Sequence, residues 1–177
     1  FLYQQNTMRD AMVAALTLDI FGSHCDRVVM ANIAQMVNVL QAVILTDGAK
    51  MICTPTYHVF DLYKAHHDAN YLPSAITCGE CSGVKQLTAT ASEKDGVITL
   101  TATNTSCTDA LDVVVHLSGT SAKDVTARIL TGDMHDKNTF EDAEKVTVKP
   151  FDAVRVTETG LKMTLPACSV VEVTIRG

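Results

Sequence analysis

Four side-chain amides interrupt an otherwise apolar stretch, and they are the first candidates for chemistry in this sequence. The stretch RVVMANIAQMVNVLQ, residues 27–41, carries Asn32, Gln35, Asn38 and Gln41. A buried amide without a hydrogen-bond partner costs about 1–3 kcal/mol, so each needs a partner in the protein or in a ligand. An amide donates and accepts at once, which suits a sugar hydroxyl as well as the peptide backbone. From the spacing alone, bonding to loop backbone is the favoured interpretation for Gln35.

Cysteine and histidine spacing gives only weak signals for a metal or redox site. Cys78-Gly-Glu-Cys81 is a CxxC, but neither a second pair nor a histidine at ligand spacing accompanies it. A thioredoxin-like βαβ pattern is also missing from its surroundings, so two thiols in a turn is the favoured interpretation. His66 and His67 are adjacent, so their side chains would point apart on a helix. We therefore predict no metal ligand and no cofactor.

Composition excludes several classes of partner. The chain has 177 residues, a net charge of −6 and no basic run, which argues against a nucleic acid or an anionic membrane as partner. No apolar stretch reaches the roughly 18 residues that span a bilayer. Six scattered cysteines in a chain of this size indicate reduced thiols in a cytosolic protein. Because the sequence begins at Phe1, a few residues before a helix, we expect it to be cut from a longer protein.

The first 70 residues have the pattern of helix, strand and helix. The segment NTMRDAMVAALTLDIFGSHCD predicts a helix, with Thr7 and Asp10 as a capping box and Gly22 as a left-handed C-terminal cap. Its apolar residues recur at helical spacing at Met8, Met12, Ala15, Leu16 and Ile20. Residues 28–33 read as a strand, and TPTYHVFDLYKAHH as a second helix with Pro55 in its first turn. This order is typical of a parallel α/β sheet.

From about residue 75 the apolar pattern changes to a period of two. Eight short runs are rich in Val, Thr, Ile and Leu: KQLTATA, VITLTATN, LDVVVHL, VTARIL, KVTVK, AVRVT, LKMTL and SVVEVTI. Asp95-Gly96 is a turn signal between the first two, and Pro166 separates the last two. Closely spaced strands with turn residues between them predict an antiparallel β-sandwich of jelly-roll type.

Several long phrases resemble one known family. The segments NTMRDAMVAALTLDIF, CDRVVMANIAQMVNVLQAVILTDG, TPTYHVFDLYKAH and HDKNTFED are similar to consecutive segments of the α-L-arabinofuranosidases of glycoside hydrolase family 51. The closing LPACSVVEVTI resembles the last strands of that family, where a proline-rich LPP is usually followed by SVV. The resemblance covers nearly the whole chain, in the right order.

The resemblance implies a mainly β architecture with a short α/β segment before the sandwich. Residues 1–72 would be the C-terminal end of a (β/α)8 barrel, and residues 73–177 the jelly-roll β-sandwich. Helix 7–21 would be the seventh barrel helix, residues 27–33 the eighth strand, and residues 55–67 the last helix.

The resemblance also assigns a role to Gln35. Active sites of such barrels lie at the C-terminal ends of the strands, and Gln35 follows the predicted eighth strand. In the family the glutamine of this NIAQ phrase contacts the arabinofuranose ring, whereas Asn32 and Asn38 are predicted to be structural. The catalytic pair of a retaining glycosidase is two carboxylates about 5–5.5 Å apart. In the family these are glutamates at the ends of the fourth and seventh strands, upstream of Phe1, so we assign no catalytic residue here.

Three functions therefore compete. The first is the C-terminal part of an arabinofuranosidase, inactive alone, whose whole protein acts on arabinose-containing oligosaccharides or polysaccharides. The second is a carbohydrate-binding module, against which residues 75–177 contain neither Trp nor Tyr to stack on sugars. The third is an oligomerisation module. We expect a homo-oligomer whose interface includes residues 8–45, because the apolar helix face from Met8 to Ile20 would otherwise be bare.

Overall fold

The computed structural model describes residue 4 and residues 6–177. The start of the predicted first domain, at residues 1–3 and 5, lies outside these described residues. The N-terminal part contains helix α1 (Met8–Ser23), the hairpin strands β1 (Ile44–Asp47) and β2 (Lys50–Cys53), and helix α2 (Pro55–Tyr63), which is followed by a 3-10 turn (Lys64–His66).

Eleven further strands follow, and most of them form two antiparallel sheets. They are β3 (Asn70–Tyr71), β4 (Glu80–Cys81), β5 (Val84–Lys85), β6 (Leu87–Lys94), β7 (Val97–Asn104), β8 (Leu111–His116), β9 (Asp124–Thr131), β10 (Lys149–Pro150), β11 (Val154–Thr157), β12 (Gly160–Leu165) and β13 (Ser169–Arg176). The larger sheet has the order β10-β9-β13-β7-β6-β3, and the smaller sheet has the order β11-β12-β8. Strands β4 and β5 form a separate hairpin. The chain is mainly β, as predicted.

The central strand β13 explains why the larger sheet has two buried faces. It pairs with β7 on one side and β9 on the other along its whole length. Val171, Val173 and Ile175 point into the core between the two sheets, where they meet residues such as Leu161. Val170 points to the opposite face and joins a second apolar cluster. Because side chains alternate along a strand, one strand can serve both layers.

The second cluster joins the two helices to the outer face of the larger sheet. Its buried members are Met8, Ala11, Met12, Ala15, Val59, Leu62, Tyr63, Leu130, Val146, Cys168 and Val170. The expectation that the face of α1 would be bare is therefore wrong for Met8 and Met12, which are buried against the sandwich. Only Ile20, at the end of the predicted stripe, is largely exposed, at 57%. The boundary that we predict at residues 72 and 73 falls between β3 and β4, and the parts on either side of it pack together.

The predicted strand at residues 27–33 does not form. This segment belongs to no helix or strand of the structure. A barrel strand is held by hydrogen bonds to neighbours on both sides, and the described part of the chain brings no such neighbour beside it. The run KVTVK also pairs less than expected, since Lys149 is its only residue that pairs with β9, together with the following Pro150.

The predicted turn at Asp95-Gly96 and the predicted cap at the start of α1 are confirmed, whereas the predicted cap at the end of α1 is not. Asp95 and Gly96 both have positive φ, 54° and 78°, and they join β6 to β7 as a two-residue hairpin loop. The backbone N–H and the hydroxyl of Thr7 both donate to the Asp10 carboxylate, at 2.6 and 2.9 Å. Gly22 is not a left-handed cap, because α1 continues to Ser23. Its lack of a side chain serves close packing instead, since a Cβ there would lie 3.0 Å from the Thr90 side chain.

Candidate functional site

Gln35 lies on an open segment between α1 and the β1-β2 hairpin. Its side chain is exposed, and it follows a cis peptide bond from Ala34. Among the described residues, no hydrogen bond engages its amide. The preceding segment is also exposed, since the side chains of Val29 and Met30 are 91% and 73% accessible to solvent. An amide that protein groups leave free in this part of the chain is available to a ligand.

A pocket of about 530 Å³ lies beside residues 31–36. The segment contributes Ala31, Asn32, Ile33 and Met36, and the remaining lining residues are Val43, Tyr57, Phe60, Asp61 and Lys64. Tyr57, Phe60 and Asp61 belong to helix α2, and Lys64 belongs to the 3-10 turn that follows it. The pocket is thus lined mainly by apolar and aromatic side chains, together with Asn32 and the ion pair of Asp61 and Lys64.

Asn38 has the structural role that the sequence predicts for it. Its Nδ2 donates to the Thr46 hydroxyl at 2.8 Å, and its Oδ1 accepts from the Thr46 backbone N–H at 2.6 Å. Its backbone has a positive φ of 60°, which asparagine tolerates better than most residues. Backbone hydrogen bonds between Met36, Asn38 and Ile44 complete the loop. The segment after Gln35 is therefore tied to β1.

A loop of the sandwich holds this N-terminal part in place. Asn138, in the phrase HDKNTFED, is buried; its Nδ2 donates to the carbonyls of Cys53 and Val146, and its Oδ1 accepts from the N–H of Val146. The carbonyl oxygens of Asp136 and Met134 accept from the first two N–H groups of α1. The loop is structural, because it contacts both the end of β2 and the start of α1.

Asp19 is the buried carboxylate that sequence reasoning missed. It lies on the inner face of α1, 5% exposed, and accepts from the hydroxyls of Tyr63 at 2.7 Å, Thr88 at 2.6 Å and Thr90 at 2.8 Å. Burial raises its pKa above the ordinary value, although the three hydroxyls oppose this. The spacing from Met8 through Met12 and Ala15 places Asp19 on the same stripe, which was the available signal.

Asp61 and Glu172 share one arginine between α2 and the sheet. The Arg128 guanidinium donates to Asp61 at 2.9 Å and, through Nε and Nη2, to Glu172 at 2.6 Å. Burial by itself would raise the pKa of Asp61, but the hydrogen bonds from Lys64 and Arg128 bring it below the ordinary value. Burial raises the pKa of Glu172, and Arg128 opposes the rise. Both carboxylates are engaged in an ion pair that docks α2.

The cysteines and histidines form no metal site in the described residues. Within residue 4 and residues 6–177, no group of three or more His, Cys, Asp or Glu side chains could hold a metal ion. Cys78 donates to the carbonyl of Leu87 at 3.7 Å, and Cys81 is exposed on β4. The ring nitrogens of His66 lie 2.7 Å from the hydroxyl of Ser92 and 3.0 Å from that of Thr101.

The geometry describes two helices docked on an antiparallel sandwich, and solved structures of glycoside hydrolases share it. The family 51 arabinofuranosidase from Xanthomonas axonopodis pv. citri superposes with a TM-score of 0.93 at 42% identity, over 99% of this chain and 37% of that one. A family 51 α-L-arabinofuranosidase from Bifidobacterium longum gives a TM-score of 0.89 at 27% identity, over 99% of this chain and 36% of that one.

The chain belongs to the α-L-arabinofuranosidase C-terminal domain family, whose model matches residues 1–169. An intracellular exo-α-L-arabinofuranosidase from Bacteroides ovatus is 46% identical over 96% of this chain. The chain spans about a third, 34%, of the length of that relative. Among the described residues, no helix combines the length and apolar character that crossing a membrane requires.

Proposed function

We propose that this chain is the C-terminal part of an intracellular α-L-arabinofuranosidase. The whole enzyme would remove terminal non-reducing α-L-arabinofuranosyl residues from arabinose-containing oligosaccharides or polysaccharides. The observation that carries the proposal is the 46% identity to the Bacteroides ovatus exo-enzyme over nearly the whole of this chain. The intracellular location follows the description of that relative.

The proposed mechanism is that of a retaining glycosidase, with one carboxyl group as acid and base and a second as nucleophile. Both groups would belong to the part of the enzyme that this chain does not span. The carboxylates of this chain described above support this proposal, because each has a structural partner. Asp10 receives hydrogen bonds at the start of α1, Asp19 is buried among hydroxyls, and Asp61 and Glu172 are paired with Arg128.

The chain by itself is therefore expected to be inactive. A purified preparation should not hydrolyse an aryl α-L-arabinofuranoside above a buffer blank, whereas the whole protein encoded by the same gene should release the aryl group. A mock purification from the expression host controls for host enzymes. Turnover by the chain above that control would refute the proposal that both catalytic carboxyl groups lie outside this chain. A whole protein that is inactive on arabinofuranosides would refute the proposed arabinofuranosidase activity.

Gln35 is the residue of this chain that we propose to contact the sugar. Its exposed amide and its place after the 28–33 segment support this role. In the whole enzyme, Gln35→Ala should lower kcat/KM for the aryl arabinofuranoside roughly 2- to 10-fold, because one hydrogen bond to a neutral group is worth about 0.5–1.5 kcal/mol. The loss should be larger if that bond tightens in the transition state.

The matched control is Asn32→Ala, which removes a neighbouring exposed amide to which we assign no sugar contact. Asn32→Ala should leave kcat/KM within twofold of the unmodified enzyme, and the melting temperatures of both variants should be unchanged. An equal kcat/KM for Gln35→Ala and the unmodified enzyme would contradict the proposed sugar contact of Gln35.

A homo-oligomer remains part of the proposal. The exposed apolar side chains of Val29, Met30 and Met36 support it, because soluble proteins seldom leave such patches uncovered. In the whole enzyme, upstream segments would compete for the same surface. Sedimentation of this chain at micromolar concentration should detect a dimer that Met30→Asp weakens, and a monomer under these conditions would contradict the interface.

A further inference from the structure

Two cysteines that are far apart in sequence lie side by side at one end of the sandwich. Cys107 is in the loop between β7 and β8, and Cys168 is in the turn between β12 and β13. The backbone N–H of Cys168 donates to the carbonyl of Ser106 at 2.8 Å, which fixes the two segments against each other. This hydrogen bond places Cys107 one residue along the chain from the backbone contact with Cys168, and a disulfide requires Cα atoms about 4.4–6.8 Å apart.

The two thiols have different surroundings. Cys107 is exposed, whereas Cys168 is only 2% exposed and belongs to the apolar cluster beneath α1. Burial raises the pKa of the Cys168 thiol to about 11, and the neighbouring Cys107 thiol adds to the effect. Exchange needs an accessible thiol for the first attack and a second thiol within reach of the mixed disulfide that then forms.

We propose that Cys107 and Cys168 are an oxidation site that closes to an intramolecular disulfide by exchange with a small-molecule disulfide such as glutathione disulfide. The thiolate of Cys107 attacks one sulfur of glutathione disulfide, so that a mixed disulfide forms and one glutathione thiolate leaves and takes up a proton. The thiolate of Cys168 then attacks the sulfur of Cys107 and displaces the second glutathione. Two protein thiols are oxidised and one glutathione disulfide is reduced to two glutathiones.

The bond would cross-link the two ends of a long part of the sandwich. Residues 107–168 contain strands β8 to β12, so a bridge between their ends restricts a large loop in the unfolded chain. Long closed loops give the largest stabilisation by this route. Because Cys168 packs in the same cluster as Met8 and Met12, the bridge would also anchor the turn on which α1 rests.

The test compares the chain incubated with glutathione disulfide and with glutathione. Oxidation should remove two hydrogen atoms from the intact mass, produce a cross-linked peptide pair containing Cys107 and Cys168, and raise the melting temperature by roughly 5–10 °C. Cys107→Ser should abolish the cross-link and the temperature rise. The matched control is Cys81→Ser, which removes another exposed thiol and should leave both intact.

The pH dependence of the second step gives an independent readout. Because burial raises the pKa of the Cys168 thiol above its ordinary value of 9.0, the rate at which the mixed disulfide on Cys107 is resolved should rise by up to about tenfold for each pH unit between pH 7 and pH 9. A glutathione adduct on Cys107 that persists at pH 9 would overturn the proposal. A bridge that joins other cysteines, or one that joins two chains, would overturn it as well.

Discussion

Replacing Asp19 by alanine is expected to lower the free energy of unfolding by about 3 kcal/mol. Three buried or half-buried hydroxyls, those of Tyr63, Thr88 and Thr90, donate to this one carboxylate. Alanine would leave the hydroxyls of Thr88 and Thr90 without their acceptor, and each unsatisfied buried group costs about 1–3 kcal/mol. The hydroxyl of Tyr63 would keep a longer hydrogen bond, at 3.3 Å, to the carbonyl of Ala15. Asp19 would no longer have to be buried as a carboxylate, which offsets part of the loss.

Asp19→Asn is the matched control, because it keeps the shape and one acceptor. The hydroxyls of Tyr63 and Thr90 both bond to Oδ1, while that of Thr88 bonds to Oδ2. An asparagine can retain Oδ1 and present its amide to Thr88, whose hydroxyl can turn to accept. We expect a loss of about 1 kcal/mol, measured by urea unfolding at pH 7. If Asp19→Ala were as stable as Asp19→Asn, the network would not hold α1 to the sheet.

Acidification is expected to destabilise the protein through His66. The imidazole lies between the hydroxyls of Ser92 and Thr101, and burial lowers its pKa from 6.5 to about 4. The folded state thus binds the proton less readily than the unfolded state does. The stability that neutral His66 contributes is fully present above pH 6.5 and is lost as the pH falls toward 4. At about 1.4 kcal/mol per pKa unit, the loss approaches about 3 kcal/mol.

The measurement is the free energy of unfolding at several pH values between 7 and 4. His66→Gln should reduce the decrease in this range, because glutamine can bond to both hydroxyls and does not titrate. Part of the decrease should remain, because burial also lowers the pKa of His58. The control is His67→Gln, at the exposed neighbour, which should retain the decrease. Asp19 acts in the opposite direction, since its raised pKa makes its contribution fall as the pH rises above 3.8. A comparison in the Asp19→Asn background separates the two groups, and an unchanged slope in His66→Gln would contradict the assignment.

Local patterns in the sequence were sufficient for the sandwich. Strand residues such as Val171 and Val173 alternate with polar neighbours, and a period of two admits no helix. The turn at Asp95-Gly96 and the cap formed by Thr7 and Asp10 depend on residues adjacent or three apart. Interactions of this range are encoded in short segments, so the sequence alone identified them. The family resemblance likewise rested on contiguous phrases, and the match to residues 1–169 confirms it.

The docking of α1 and α2 depended on partners that are distant in sequence. The threonine-rich outer face of β6 and β7 reads as a solvent-exposed surface, so its sequence does not indicate that α1 docks there. In the structure Asp19 and His66 bond to the hydroxyls of that face, so a polar sheet surface becomes an interface. Whether a threonine faces water or a carboxylate is decided by residues about 70 positions away.

Dependence on partners that are distant in sequence also explains why three other features could not be predicted. Residues 28–33 have the composition of a strand, but a strand needs a hydrogen-bonding neighbour, which composition cannot supply. Gly22 has the right position for a helix cap, yet the approach of Thr90 decides its role. Cys107 and Cys168 read as scattered thiols until the sheet brings their loops together. The sequence by itself determined the two helices, most of the sandwich strands, the turn at Asp95-Gly96 and the family. Only the tertiary structure decided which of their faces meet, because that depends on contacts between residues far apart in the chain.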